Sequence, residues 1–290
     1  MADWQAIATE LEAAGLDISD MQAAQPVAGG DSGSSWRLAL GARTLFLKTA
    51  PLDSAPVLAA EAAGLSALRN SKSVRVPETI ASGVAGRCAY LALEWLVLEA
   101  PTRAADALLG QALAGMHKHT ASRYGWHQDN WIGRTPQVNT WHESWARFFA
   151  DARLAPQLAL ARNRGASRAL LDATQALIDA IPQLLADRQP RASLLHGDLW
   201  SGNRGVVRGR PVLYDPAAYY GDRETDIAMT GLFGGFSSAF YEAYQETWPL
   251  DAGYARREPL YQLYHVLNHV NLFGHSYEAN AMRLLKSLLR

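Results

Sequence analysis

Leu194-Leu195-His196-Gly197-Asp198-Leu199-Trp200-Ser201-Gly202-Asn203, followed within one short hairpin by Val212-Leu213-Tyr214-Asp215-Pro216, is the stretch on which the reading of this chain turns. An apolar run leads into His-Gly-Asp, and an asparagine stands five residues beyond the aspartate. Arg204 to Val207 and Pro211 to Tyr214 read as two short strands turned at Gly209, which puts Asp215 at a strand end. Phosphoryl transfer needs a carboxylate aimed at the acceptor hydroxyl and a place for Mg²⁺ on the nucleotide phosphates. Asp198 and Asn203 keep the interval of a kinase catalytic loop, H-x-D-x-x-x-x-N. Asn203 with Asp215 offers the hard oxygen donors that Mg²⁺ prefers. A lone His-Gly-Asp turn can simply cap a helix, but the joint pattern is a far narrower specification.

Such a loop calls for a nucleotide cradle upstream. Gly29, Gly30, Ser32, Gly33 and Ser34 crowd a turn between two strand-like segments, which suits a backbone that approaches phosphates closely. By itself this is only a Gly-rich hairpin turn. Residues 34–48 read as a hairpin turned at Gly41-Ala42, with Leu45 and Leu47 on one face of its second strand and Lys48 projecting from the other. Glu61 is a lone carboxylate on an Ala-rich helix over 54–69, thirteen residues past Lys48. A Lys–Glu pair holding the amine on the α- and β-phosphates accounts for both charges; two unrelated surface charges are the alternative.

The rest of the chain divides by its periods. An amphipathic helix over 3–15 comes first, and strands follow the cradle near 79–83 and 88–95. From residue 100 helical spacing dominates, over 102–119, 140–154, 167–187, 224–246, 256–273 and 276–289, with a loop over 120–136 rich in Trp, His and Asn. The expectation is an α+β chain of two lobes. Residues 1–96 form a small antiparallel-sheet lobe with one key helix that covers a nucleotide. Residues 97–290 form a larger, mainly helical lobe with the catalytic loop and the metal and substrate site. Glu94-Trp95-Leu96 is the joint.

Composition narrows the partners. With 27 Lys+Arg against 28 Asp+Glu and a formal charge of −1, the chain has no electrostatic footprint for nucleic acid or an anionic membrane. An apolar share of 49% and a charged share of 19% are those of a folded chain. One cysteine, Cys88, excludes an internal disulfide and a multi-cysteine zinc site. No stretch approaches the roughly 20 apolar residues of a membrane span, and the first residues lack the features of a signal peptide. The expectation is a soluble, cytoplasmic monomer or weak homodimer, with no nucleic-acid and no membrane partner.

Taken with Asp215-Pro216-Ala217, Tyr220-Gly221-Asp222-Arg223-Glu224 and Asp226-Ile227-Ala228-Met229, the run from Leu195 to Asn203 resembles the fructosamine kinase (ketosamine-3-kinase) family. That family is part of the protein-kinase-like group that includes aminoglycoside and choline phosphotransferases. The resemblance extends to Lys72–Pro77, Asp129–Gly133 and Tyr261–Asn268, and so over nearly the whole chain. The His-Gly-Asp core is common to the group; the Leu-Trp-Ser-Gly-Asn extension and the Gly-Asp-Arg-Glu run are more specific. It implies a protein-kinase-like fold with ATP and Mg²⁺ as cofactors. It further implies Asp198 as catalytic base, Asn203 and Asp215 as Mg²⁺ ligands, and Lys48 on the α/β-phosphates with Glu61 as its partner. Glu94 and Leu96 would offer hinge backbone to adenine, while His196 and Asp226 would brace the loop. Asp215 is followed by Pro-Ala rather than Phe-Gly, which argues against a protein-kinase style activation switch. The Gly-rich loop also lacks the cysteine that permits redox control in some relatives.

The implied reaction is transfer of the ATP γ-phosphoryl group to the 3-hydroxyl of a ketosamine such as a fructosamine or ribulosamine, on free or protein-bound amines. Aromatic platforms for the sugar are expected among Trp126, Trp131, Trp200, Tyr219 and Tyr220, each of which could equally serve lobe packing. Asp222 or Glu224 could meet the protonated amine, or could pair with Arg223 or cap the helix that starts there. His117, His119, His127 and His142 do not hold metal-ligand spacing and read as surface or loop residues. Within the same chemistry, an aminoglycoside or choline-like alcohol is the alternative acceptor. Outside it, the alternative is a nucleotide-binding scaffold without turnover.

Overall fold

The computed structural model describes residues 2–27 and 33–290. The chain opens with helix α1 (Trp4–Ala13), capped by the Asp3 carboxylate, which accepts from the Ala6 amide at 3.1 Å. Strands β1 (Gln25–Val27), β2 (Ser34–Leu40) and β3 (Arg43–Pro51) follow, then helix α2 (Ala55–Asn70) and strands β4 (Thr79–Ala85) and β5 (Cys88–Glu94). The five strands form one antiparallel sheet in the order β1-β2-β3-β5-β4. Alternation along β3 sorts its side chains between two cores. Leu45 and Leu47 join Leu38 under α1, where Ile7 and Leu11 are fully buried; burying each such side chain is worth about 1.5–3 kcal/mol. Phe46 and Lys48 take the opposite face, where α2 packs Leu58, Leu65 and Leu68 with Ala89, Leu91 and Leu93 of β5.

The second lobe begins with α3 (Arg103–His117), then β6 (Thr120–Ala121), β7 (Asn130–Ile132), β8 (Thr135–Gln137) and α4 (Trp145–Phe148). Helices α5 (Ala155–Asn163) and α6 (Arg168–Leu184) lead to β9 (Ala192–Leu195), the hairpin β10 (Arg204–Val207) and β11 (Arg210–Leu213), and β12 (Tyr219–Gly221). Helices α7 (Glu224–Leu232), α8 (Ser238–Thr247), α9 (Tyr254–Phe273) and α10 (Glu278–Leu288) close the chain. The lobes are tied by a backbone bond from Leu213 N–H to the Arg75 carbonyl at 2.9 Å, and the chain just after the joint is pinned by Glu99 N–H on the Val206 carbonyl at 2.8 Å. One continuous apolar cluster runs from α2 through α3 to α9. No helix among the described residues is long and apolar enough to cross a membrane.

Three expected segments differ in detail. The helix expected over 140–154 starts only at Trp145, because His142 is drawn into a backbone pair with Tyr124 (2.8 and 2.9 Å). It continues as a π-helical stretch, Phe149–Leu154, that buries Arg153. The helix expected over 224–246 breaks into α7 and α8 at Gly234 and Gly235, both in left-handed conformation. The loop expected over 120–136 contains β6 and β7. Strand β6 extends a small sheet in the order β12-β9-β6, and β9 carries the chain into His196.

Candidate active site

Residues distant in the sequence converge on one cavity of about 730 Å³ between the sheet and the helical lobe. Phe46 and Lys48 arrive from β3, Glu61 from α2, Glu94 and Leu96 from the joint after β5, and Asp198, Asn203 and Asp215 from the segment around β10 and β11. The Lys48 ammonium donates to both Glu61 oxygens at 2.8 and 2.9 Å and also meets Asp215 Oδ1. Burial works against the ammonium, but Glu61 and Asp215 more than offset this and hold Lys48 above its ordinary pKa. The two carboxylates compete for that one cation. Burial would raise both, yet the Lys48 contact keeps Asp215 below the usual carboxylate range, while Glu61 is pushed up to about 8. Lys48 is therefore cationic at neutral pH and Asp215 ionised beside it.

The catalytic loop is set by backbone geometry. Gly197 has φ +83°, and a Cβ there would stand 2.1 Å from the Ala217 carbonyl oxygen, so the turn admits only glycine. That close approach lets Ala217 N–H donate to the His196 carbonyl at 2.9 Å, joining the loop to the segment after Asp215. Asp226, in the first turn of α7, accepts from the His196 amide (2.7 Å, Oδ2) and the Gly197 amide (2.9 Å, Oδ1). His196 Nε2 lies 3.0 Å from the Tyr214 carbonyl, which can only accept. The ring therefore donates there, and its Nδ1 accepts from the Asp198 amide at 3.3 Å. Burial lowers the His196 pKa, so the ring is neutral and braces the loop rather than moving a proton. Asn203 Nδ2 donates to Asp198 through its carbonyl at 2.9 Å and its Oδ2 at 3.1 Å, which fixes the aspartate and turns the asparagine Oδ1 elsewhere.

Behind Asp226 the bracing continues. Arg223 Nη1 donates to Tyr244 Oη at 3.0 Å, so the Tyr244 hydroxyl donates to His117 Nδ1 at 2.8 Å, and His117 Nε2 donates to Asp226 Oδ2 at 3.1 Å. His117 is fully buried in this relay, which corrects its expected place on the surface. A helical His appears apolar-facing or exposed by spacing alone; its partner lies on an element more than a hundred residues away.

Residues 3–290 match the family described as fructosamine kinase. The chain is 43% identical to the probable ketoamine kinase of Synechocystis sp. over 100% of its own length and 98% of the relative's. The chain belongs to the fructosamine kinase family. Its fold superposes with a TM-score of 0.91 on a crystal structure assigned as a fructosamine-3-kinase of Haemophilus somnus 129PT, at 29% identity, covering 99% of this chain and 98% of the other. The aminoglycoside phosphotransferase APH(4)-Ia, at 15% identity, shares the fold alone, with a TM-score of 0.67 and coverage of 97% and 99%.

In this fructosamine kinase family member the donor set fits Mg²⁺. No group of three or more His, Cys, Asp and Glu placed to hold a metal ion by itself occurs among the described residues. Among the described residues, Asn203, with its amide oxygen, and the Asp215 carboxylate line the cavity together with Lys48, Glu61 and Asp198. Such a pair suits an ion whose remaining ligands are phosphates and water.

Not every expected residue comes to the cavity. Trp131 and Trp200 line it; Tyr219, Asp222 and Glu224 do not. Tyr219 is buried beneath the Arg153 guanidinium, 3.9 Å from its ring centroid. Asp222 is clasped by Arg188 (2.8 and 2.9 Å) and by the Tyr261 hydroxyl (2.8 Å), and Glu224 by Arg257 (2.7 Å to each oxygen). Both carboxylates are 0% exposed, so neither can meet a substrate amine, and the expected role is withdrawn. Trp126 is likewise buried, against Tyr220. Gly33 and Ser34 precede and open β2 at the far end of the Gly-rich turn, whereas Gly29, Gly30 and Ser32 lie outside the described residues. The cavity lining also includes residues not expected at the site, Phe46 and Asn130 among them. Phe46 shares the face of Lys48 by strand alternation, a signal available in the sequence. Asn130 donates to the Ala218 carbonyl at 2.8 Å and accepts from Gln137 at 2.8 Å, steadying the segment behind Asp215.

Proposed function

We propose that this chain transfers the γ-phosphoryl group of ATP, as its Mg²⁺ complex, to the 3-hydroxyl of a ketosamine, a fructosamine or ribulosamine carried on a free amine or a protein side chain. The observation that carries this reading is the placement of Asp198, held by Asn203, opposite the Lys48–Glu61–Asp215 cluster across one cavity. Membership of the fructosamine kinase family supports the acceptor class. We divide the chain into a nucleotide-covering lobe, 1–96, and a lobe carrying the catalytic loop, 97–290.

Each residue has a physical task in this reading. Lys48, held straight by Glu61, meets the α- and β-phosphates, to which the Gly-rich sequence 29–34 is also assigned. The backbone at Glu94 and Leu96 receives adenine, with Phe46 against the base. Asn203 and Asp215 would hold a Mg²⁺ ion that neutralises charge on the transferring phosphate. Asp198 accepts the proton of the acceptor hydroxyl as its oxygen bonds to the γ-phosphorus, while the bond to the bridging oxygen breaks and ADP leaves with the electron pair. Such a base contributes roughly 10²–10⁴-fold, and orientation supplies much of the rest. Trp131 and Trp200 flank the acceptor.

The test is ADP release with Mg·ATP and, in parallel, an N-fructosyl amine, an N-ribulosyl amine, a glycated protein, an aminoglycoside and choline, with the phosphorylated carbon assigned by NMR. Turnover of a ketosamine with phosphate on O3 is the expected result. Turnover only with the aminoglycoside or choline, or phosphate on another hydroxyl, overturns it. ATP binding is read separately as a thermal shift that grows with Mg·ATP concentration.

A further inference from the structure

Resting on the ketosamine reading, we propose that a surface row of aromatic rings beginning at Trp200 receives the amine substituent of the acceptor, and that the enzyme prefers ketosamines whose amine carries an aromatic group. Trp200 lies two residues beyond the proposed base and lines the active-site cavity. Its ring folds over Gly202, where a Cβ would come within 2.2 Å of the indole. Its edge meets Phe233 at the end of α7, ring centroids 6.5 Å apart. Phe233 meets His269 at 4.9 Å, and His269 meets Phe273 at 5.4 Å and Tyr277 at 5.1 Å.

The exposure of these rings is what calls for an occupant. Trp200 is 40% exposed, Phe233 41% and Phe273 53%, and among the described residues these are the exposed tryptophan and phenylalanine side chains. Exposed large apolar groups scattered singly need no explanation, whereas a contiguous row does. This one is continuous with the acceptor end of the cavity. A ketosamine bound with its 3-hydroxyl at Asp198 has its sugar beside Trp200, and its nitrogen substituent must leave past that ring. The protonated nitrogen suits the face of an indole, and an aromatic substituent finds edge and face partners in Phe233 and Phe273. The buried carboxylates Asp222 and Glu224 provide no competing anchor for the amine.

The experiment compares kcat/KM for the fructosyl derivatives of glycine, leucine and phenylalanine, using the full chain with saturating Mg·ATP. We expect the phenylalanine derivative to exceed the glycine derivative by roughly tenfold, carried mainly by KM, as a pocket contact of this kind discriminates. Phe233→Ala and Phe273→Ala should each pull that ratio toward one; both positions are on the surface, and an unchanged melting temperature verifies the fold. A ratio near one in the parent chain overturns the proposal, as does a ratio that neither variant alters. If the row is instead an interface between two copies of the chain, Phe273→Ala will shift the sedimentation coefficient of a dimer without changing the ratio, which also overturns it. Absence of turnover with every ketosamine fails the functional reading and this proposal together; turnover without selectivity fails the proposal alone.

Discussion

Asp226→Asn isolates the bracing of the catalytic loop from the chemistry, because Asp226 touches neither the cavity nor the Lys48 cluster. In the parent chain Oδ1 accepts one backbone N–H and Oδ2 accepts another together with His117. An asparagine can accept at only one of these two positions, and its amide group at the other faces a loop N–H. One buried donor loses its partner, a cost of about 1–3 kcal/mol. The remaining bonds lose charge assistance, which roughly halves them and adds about 1–2 kcal/mol. A loss near 3–4 kcal/mol, at about 2–3 °C per kcal/mol for a chain of this size, lowers the melting temperature by roughly 6–12 °C. With the loop free to shift by an ångström, kcat falls by about 10², while KM for ATP is retained because Lys48 and Glu61 are untouched. Acid behaviour gives a second readout. Burial would raise Asp226, but His117 and the loop amides hold its folded pKa below the ordinary value of 3.8. Its contribution is therefore full above 3.8 and is lost as pH falls through the folded value, and the variant should lack that acid-side loss. Differential scanning fluorimetry and steady-state ADP release provide the assay. A melting temperature within 2 °C of the parent together with kcat within threefold refutes the bracing argument.

Asp215→Ala should raise the Mg²⁺ concentration needed for half-maximal turnover by tenfold or more, and an unchanged Mg²⁺ titration counts against its role as ligand. Gly202→Ala places a Cβ against the Trp200 indole and swings the ring off its seat; KM for the acceptor should rise severalfold with KM for ATP unchanged, as read from two substrate titrations. Burial holds His265 neutral, with a folded pKa pushed down to about 3 from 6.5. The unfolded chain then binds an extra proton below pH 6.5, so stability falls by up to about 1.4 kcal/mol per pH unit from there toward pH 3. His265→Leu should remove that slope in urea unfolding between pH 6.5 and 4.5, and an identical slope in the variant refutes the assignment.

What was legible in the sequence was what is written locally. The Asp198–Asn203 interval spans a single loop and the 204–214 hairpin carries its own turn, so Asp215 could be set beside them without knowledge of the remaining fold. Lys48 and Glu61 were legible for a different reason: each is a charge on an otherwise apolar element, and such charges have to find each other or water. The same logic failed at Asp222 and Glu224. There, carboxylates shortly after Asp215 are compatible with a substrate amine or with a local cap, and Asp222 does accept from the Glu224 amide at 3.1 Å; their main partners Arg188 and Arg257 lie 34 and 33 residues away on either side and close over them completely. Nothing in the local pattern distinguishes a carboxylate sealed by an arginine from one that awaits a ligand, since both are acidic residues at a helix start.

That failure also sharpens where the acceptor site can be. With Asp222, Glu224 and Tyr219 sealed inside the helical lobe, the proposed acceptor site near Asp198 loses those three candidate anchors, while Trp131 and Trp200 still line the cavity. Trp200 then has two claims on it that agree. Gly202 leaves room for its ring, and Phe233 borders its edge, so it is held at the mouth of the cavity without being buried. A ring placed in this way orders a sugar without immobilising a long flexible side chain at each turnover. On the proposed reading, specificity belongs to the accessible rings near Asp198, while Asp222 and Glu224, sealed by Arg188 and Arg257, keep the helical lobe in place.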